Sequence, residues 1–232
     1  MRQADNKAKR TDTTRALIIG TAEKLFAEHG VSGVTINSIN QAAGQKNSNA
    51  VRYHFGDKTG LLLAIIDKHL EQIAEHRKIM LKNLARRGNH SLRDLVETLV
   101  HPIARQMNEP GGGEAFIHIN AEFITVKAFS FYKEIDNPIR VHFEDQLILL
   151  FQAHLSHLPK ILHMQRMILV SGMIYNSLSS HARIRHQLPA DNPVIDFDLA
   201  VCNLVDAIVA ILSSPVSDEA AKLISRKPVA KS

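Results

Sequence analysis

The side chains best equipped to do chemistry in this sequence lie close together, between positions 45 and 58. The run Gln45-Lys46-Asn47-Ser48-Asn49-Ala50-Val51-Arg52-Tyr53-His54 has a hydrogen-bond donor at nearly every position that can face outward. Asn and Gln can pair with adenine edges and Arg or Lys with guanine. Lys, Ser and Tyr suit phosphate oxygens. Ala50 and Val51 give a short helix its inward anchor. Lys58 adds a cation at the start of the next helix, beside free backbone N–H groups, where a phosphate is well placed. This is the chemistry of a surface that reads nucleic acid. A polar surface turn without a partner would have the same composition.

The charge distribution agrees with a nucleic-acid surface. Residues 1–60 carry nine Lys and Arg against five Asp and Glu, whereas the other 172 carry 19 against 18. Nearly all the positive excess lies in the first quarter, as expected of a small nucleic-acid-binding module on a near-neutral body. Within it, Lys7, Lys9 and Arg10 form a basic arm that either reaches phosphates or the minor groove or simply solubilises the chain. Arg15 suits a phosphate contact or a structural ion pair.

A second group of polar residues sits among apolar ones further on: His101, His118, Asn120, Glu122 and His142. A mostly apolar cavity with a few convergent polar groups is the usual small-molecule site. His118 and Glu122, four residues apart, share a helix face and could act together. The ligand they suggest is small and largely apolar. Each of these residues would equally serve as a surface group or an internally satisfied one. His118 with Glu122 could in principle do acid–base work, but no nucleophile–base arrangement or phosphate loop accompanies them, so an enzyme is not expected. The 13 histidines, including His154, His157 and His163, lack the Cys or carboxylate partners of a metal site. No metal or cofactor is expected.

The elements that must position these residues are helices throughout, an all-α fold of about nine. Apolar residues recur with helical period, and no long stretch alternates with period two. The sequence predicts a first helix over 14–29, ended by Gly30. A second follows Thr35, a good N-cap, and ends at Gly44. A third covers 48–54. Asp57 caps a long fourth helix that Gly88 ends. Ser91 caps a fifth, to about 108, interrupted at Pro102. The segment Glu109–Gly113 is a break, and a sixth helix runs to about 129. Three further helices open on prolines, over 138–156, 159–187 and 193–213. The tail from 215 is polar.

Ile161, Ile168 and Gly172 on the eighth helix and Leu204, Ile208 and Leu212 on the ninth mark faces that must be buried. They belong either to the monomer core or to a subunit interface. The single Cys202 reads as a small buried side chain and allows no internal disulfide. The N-terminus has no apolar signal segment, and no apolar run approaches the ~20 residues of a membrane span. A soluble, cytoplasmic protein without a membrane role is expected.

The stretches TRALIIGTAEKLFAEHGVSGVTINSINQAAG and AVRYHFGDKTGLLLA, within residues 14–64, resemble the N-terminal domain of TetR-family regulators. The resemblance covers about a quarter of the chain. It implies a helix-turn-helix domain over residues 1–60, with a flexible arm over 1–12, and a helical regulatory and dimerisation domain over 61–214. It implies that Thr35 caps the second helix and meets phosphate, that Tyr53 and His54 contact the DNA backbone, and that Lys58 binds phosphate. Asn47, Asn49 and Arg52 become the candidates for base edges, with Gln45, Lys46 and Ser48 beside them. The turn after Gly44 is one residue longer than the common family pattern, which leaves the register of Lys46–Asn49 against the bases open. The resemblance further implies a homodimer through the last two long helices, an inducer pocket in the middle ones, and a palindromic double-stranded operator. The whole then reads as a transcriptional regulator, most simply a repressor that a small molecule releases. A helical small-molecule-binding protein without a DNA role is the alternative.

Overall fold

The computed structural model describes residues 2–45, 47–122 and 145–226, and these are helical without any strand. Helix α1 spans Arg2–Gly33 and breaks its helical geometry at Gly30, where φ is +70°. Then follow α2 (Ile36–Ala42), α3 (Ala50–Phe55), α4 (Lys58–Arg87) and α5 (Leu92–Met107), with α6 beginning at 113 and described to 122. After 145 come α7 (Asp145–His154), α8 (Lys160–Arg185), a 3₁₀ turn (Pro193–Ile195), α9 (Phe197–Ser213) and α10 (Asp218–Arg226).

The caps lie where the residue types put them. Thr35 Oγ1 accepts from Ser38 N at 3.1 Å, and Ser38 Oγ accepts from Thr35 N at 3.0 Å, a reciprocal capping box. Asp57 accepts from Gly60 N at 2.8 Å, and Gly88, with φ +71°, closes α4 in the left-handed conformation. Ser91 and Asp94 form a second capping box at the start of α5. Hydrogen bonds from Ser91, the larger cause, and the nearby Arg87 hold the Asp94 carboxyl down to about 2.

Four expectations about the helices are corrected. Helix α1 continues upstream to Arg2 through the stretch read as a flexible arm, because no Gly or Pro interrupts residues 2–19 and Gln, Ala, Lys and Arg favour helix there. Helix α5 passes through Pro102 without a break. The proline has no N–H to offer the Thr98 carbonyl four residues back, and the buried Arg77 of α4 turns its Nε toward that oxygen at 3.5 Å. Pro193 opens only the 3₁₀ turn. Helix α9 starts afterwards, with Asp196 accepting from Leu199 N at 2.9 Å. The tail is not simply polar coil but holds α10, whose first turn Ser217 caps through Ala220 N. The beginning predicted for the seventh helix, at 138, and the end predicted for the sixth, at 129, lie outside the described residues.

Helix α5 lies at the centre of the body, against α4, α7, α8 and α9. Its Leu95, Val96, Leu99, Val100 and Ile103 are buried in one continuous core with Ile208 and Leu212 of α9. Leu204, Ile208 and Leu212 are therefore core residues of their own subunit, the first of the two readings the sequence leaves open. Cys202 is exposed, contrary to expectation, because it lies at the flank of the buried stripe of α9, on the open groove beside Val201 and Val205.

Head and body meet over a buried polar cluster. Glu23 of α1 is 2% exposed. Lys68 Nζ of α4 donates to both its oxygens at 2.8 and 2.9 Å, and to the Gly111 carbonyl at 2.7 Å. His69 Nε2 lies 2.8 Å from Glu23 Oε1, and its Nδ1 is 2.8 Å from Gln106 Nε2. If Gln106 donates to Nδ1, the ring hydrogen on Nε2 points at the carboxylate. The glycine break after α5 is needed for this approach, since a Cβ on Gly112 would sit 2.5 Å from the Glu23 carboxylate.

A similar close approach occurs where α3 ends against α4, and it yields a paired test. A Cβ on Gly60 would lie 2.0 Å from the Phe55 carbonyl oxygen, whereas one on Gly20 in α1 meets nothing within 4 Å. Gly60→Ala is expected to cost about 1–3 kcal/mol as backbone is pushed aside. Gly20→Ala is expected to gain about 0.5–1 kcal/mol from helix propensity. Urea unfolding of both variants checks this; equal midpoints would show that the α3–α4 approach is not tight.

Candidate nucleic-acid interface

The interface is built on a frame made by one residue the sequence reading passed over. Asn40 of α2 is buried. Its Nδ2 donates to the Ser48 carbonyl at 2.5 Å, and its Oδ1 accepts from Val51 N at 3.1 Å. Thus α2 holds both the turn and the first turn of α3. The signal was available: Asn40 follows the buried Ile39 at a position that a short amphipathic helix must turn inward. Val51 and Ala50 are buried beneath it as expected.

On that frame the donors face outward. Asn47, Ser48, Asn49 and Arg52 are exposed, and Gln45 is half-buried, donating to the Ala43 carbonyl at 3.1 Å. Asn47 Oδ1 accepts from Asn49 N at 2.9 Å, which rigidifies the longer turn. Tyr53 is 75% exposed, its ring edge-on to His54 at 5.0 Å. Thr35 is exposed at the start of α2, though its hydroxyl is already engaged in the cap. Lys46 lies outside the described residues. Arg15 plays a structural part. Its guanidinium donates to the His54 carbonyl at 3.2 Å and lies 4.5 Å above the Phe55 ring, tying α1 to the end of α3.

Lys58 is turned inward. Its Nζ donates to the Val31 and Val34 carbonyls, both at 2.5 Å, at the corner between α1 and α2. Burial lowers its pKa, and Glu122 works the other way. Glu122, read as a pocket residue, belongs to the same corner. Its carboxylate accepts from Val31 N at 2.8 Å, from Ser32 N at 3.1 Å and from Ser32 Oγ at 2.6 Å. Burial alone would raise the Glu122 carboxyl. The hydrogen bonds from Ser32 and Val31, with Lys58 nearby, outweigh it and hold the carboxyl below its usual value. A carboxylate of α6 and an ammonium of α4 therefore clasp one turn of backbone between them.

His118 does not join Glu122. Its Nδ1 lies 2.7 Å from Ser179 Oγ of α8 and its Nε2 3.6 Å from Glu114 Oε1. Burial, the largest cause, and Arg183 lower its pKa. Glu114, which the sequence reading did not single out, also pairs with Arg185 and with His186 at 2.9 Å and so binds α6 to α8. His101 lines a groove of about 650 Å³ between α4, α5 and α9 whose floor includes Met80, Pro102, Val201 and Val205. His142 lies outside the described residues. Among those residues no three His, Cys, Asp or Glu side chains converge as a metal site, and no single helix is long and apolar enough to cross a membrane.

Two short helices joined by a tight turn, the second presenting donors to solvent, form a helix-turn-helix. Residues 18–65 match the family described as bacterial regulatory proteins, tetR family. Through this segment, about a fifth of the chain, it is similar to that family. The HTH-type transcriptional repressor AcnR of Corynebacterium glutamicum is 39% identical over 62 residues, which are 27% of this chain and 32% of the relative. The AcnR of Corynebacterium efficiens matches at the same identity, length and coverage. The match thus spans about a third of the length of these curated relatives. Among solved structures, a TetR-family regulator from Streptomyces coelicolor A3 aligns at 18% identity, covering 87% of this chain and 95% of that one, with a TM-score of 0.43. AmtR of Mycobacterium smegmatis aligns at 14% identity over 91% and 94%, with a TM-score of 0.46.

The frame and the clasp each carry a prediction. Asn40→Ala leaves the Val51 N–H and the Ser48 carbonyl without their partner and is expected to cost about 1–3 kcal/mol, with faster hydrogen exchange at Val51. Unchanged exchange there would show that Asn40 is not what holds the turn. Glu122 has a folded pKa below its unfolded one, so its contribution to stability is complete above the ordinary carboxylate range and is lost as pH falls through the folded value. Urea midpoints measured from pH about 6 down to about 3 should therefore fall less steeply for Glu122→Gln than for the parent. Parallel curves would rule the clasp out as a contributor.

Proposed function

We propose that the chain is a sequence-specific regulator of transcription that binds double-stranded DNA at a palindromic operator as a homodimer. In this reading it is a repressor, released when a small, largely apolar molecule binds the helical body. The observation that carries the reading is the set of exposed donors on α3 and its turn, held on a frame fixed by Asn40, Arg15 and Asp57. Asn47, Asn49 and Arg52 read base edges, with Gln45, Lys46 and Ser48 beside them. Thr35, Tyr53 and His54 meet phosphates. Lys58 serves the interface by fixing the corner before α2, with two of its N–H groups already committed. The match to repressors over the N-terminal segment supports the same reading.

Residues 1–60 are the DNA-binding unit and 61–214 the regulatory one. The pairing surface is the outward face of α8, where Ile161, Ile168 and Gly172 lie on one side and the first two are exposed, continued by Leu199 on α9. Such a face is covered by two-fold association. The ligand signal travels through the contacts of α6. A displacement of that helix withdraws Glu122 from Val31 and Ser32 and loosens the corner that orients α2.

Selection of bound sequences from a random pool tests the DNA function. A palindromic consensus is expected, with affinity falling steeply as salt rises. Arg52→Ala should relax preference at one position of each half-site by about 1–3 kcal/mol, while Tyr53→Ala should weaken all sequences alike. Enrichment of no sequence over random DNA would sink the proposal. Glu122→Gln should weaken operator binding without altering the consensus.

A further inference from the structure

Helix α10 has a sharply divided surface that its own chain covers only in part, with Ala220 and Ile224 half-buried and Ala221 and Leu223 exposed. Projected at 100° per residue, Ala220, Ala221, Leu223 and Ile224 fall on one side, and Asp218, Glu219, Lys222, Ser225 and Arg226 on the other. No residue of α10 is buried, and Leu223 is 61% exposed. A nine-residue helix with a face of this kind is marginal in water by itself.

The root of α10 is fixed. Arg166 of α8 donates through Nη1 to the Leu212 carbonyl at 3.2 Å and the Ser214 carbonyl at 2.5 Å, and through Nη2 to the Pro215 carbonyl at 3.2 Å. These bonds hold the end of α9 and the linker to α10 against the second turn of α8. That part of α8 carries the other uncovered apolar surface, Ile161, Met164, Ile168 and Leu169, all exposed. Further along, the same side of α8 turns polar, with Asn176, Ser177 and Ser180 exposed. The apolar patch is therefore centred beside the anchor of α10.

Charge separates the candidates for what covers it. Helix α8 contains no Asp or Glu, and its first turn carries Lys160 and His163. Helix α10 opens on Asp218 and Glu219. The α8 patch thus has a basic border and the first turn of α10 an acidic one, ahead of Lys222 and Arg226, both on every copy of the chain. A two-fold axis through the patch brings the α10 of one copy beside the α8 of the other, and nine helical residues span about 13 Å, enough to cross it. Both faces are then covered at once, and the arrangement closes on itself.

We propose that α10 is an exchanged arm: its apolar face lies over the first turns of α8 of a second copy of this chain, with Asp218 and Glu219 beside Lys160 and His163 of that copy. This rests on the dimer read above but adds a separate contact to it.

The test uses the full chain. Sedimentation is measured for the parent, for the double variant Leu223→Asp, Ile224→Asp, and for Ile168→Asp. The α10 variant is expected to raise the dimer dissociation constant at least tenfold with little change in the melting temperature of the subunit, since no residue of α10 is fully buried in its own chain. A dimer constant unchanged by the α10 variant overturns the arm. If Ile168→Asp still weakens the dimer in that case, the α8 pairing stands and only the arm fails. If the parent is monomeric at all concentrations, both fail together. A second measurement identifies the chain that is contacted. In a Cys202→Ser background, copies of different mass carrying Leu223→Cys or Met164→Cys are mixed and oxidised. A disulfide joining the two masses supports exchange. Leu223→Cys and Met164→Cys placed in one copy and linked only within that copy would overturn it.

Discussion

A carboxylate almost wholly removed from water needs partners, and Glu23 finds two on α4 that are held in turn by α5 and the glycine break. Lys68 and His69 of α4 meet its oxygens, Gln106 of α5 meets the other ring nitrogen of His69, and Gly111 accepts the remaining reach of Lys68. Removing any one partner would leave a buried charge or a buried ring nitrogen uncompensated, a far larger loss than a surface ion pair. The orientation of α1 on the body follows from this cluster, and so does the glycine break that lets the chain pass close to the carboxylate. Since α1 carries α2 and α3 with it, the angle at which the helix-turn-helix leaves the body is set here.

The clasp at the other end of α1 works on different terms. Glu122 and Lys58 hold exposed and half-buried backbone through charge-assisted hydrogen bonds, not through a buried ion pair. Such contacts fix a corner and cost less to open than a buried ion pair. Head and body are thus joined by one contact that is costly to open and one that is not. The buried contact is made by Glu23 of α1 and the exposed one by Glu122 of α6, and both bear on α1.

Much of this architecture was legible in the sequence. Thr35, Asp57, Gly88 and Ser91 announced helix ends because capping is a local matter of one side chain and one or two backbone groups. The donor-rich turn and α3 were legible because their composition is unlike a core helix. What was hidden depended on chain segments far apart. His118 and Glu122 share a helix and a spacing of four, yet one faces α8 and the other the α1–α2 corner, and no periodicity tells which. Helix α9 is apolar around much of its circumference, so the sequence alone could not say which side was core. The structure places Leu204, Ile208 and Leu212 inward and Cys202 outward. The lone proline signal at 193 was overridden by Asp196, a stronger cap three residues on.

The same division between local and distant causes separates the exposed donors from the fold beneath them. The frame of α2 and α3 is set by Asn40, Val51, Gly60 and Arg15, none of which points toward the exposed face. The turn between Gly44 and Ala50 is held from beneath. Gly44 takes φ +61°, Asn47 closes on Asn49 N, and Asn40 reaches across to the Ser48 carbonyl. The bonds that hold residues 47–49 in place are made by backbone groups, by Asn47 and by Asn40. The frame constrains position and leaves the donors at 47, 48, 49 and 52 exposed.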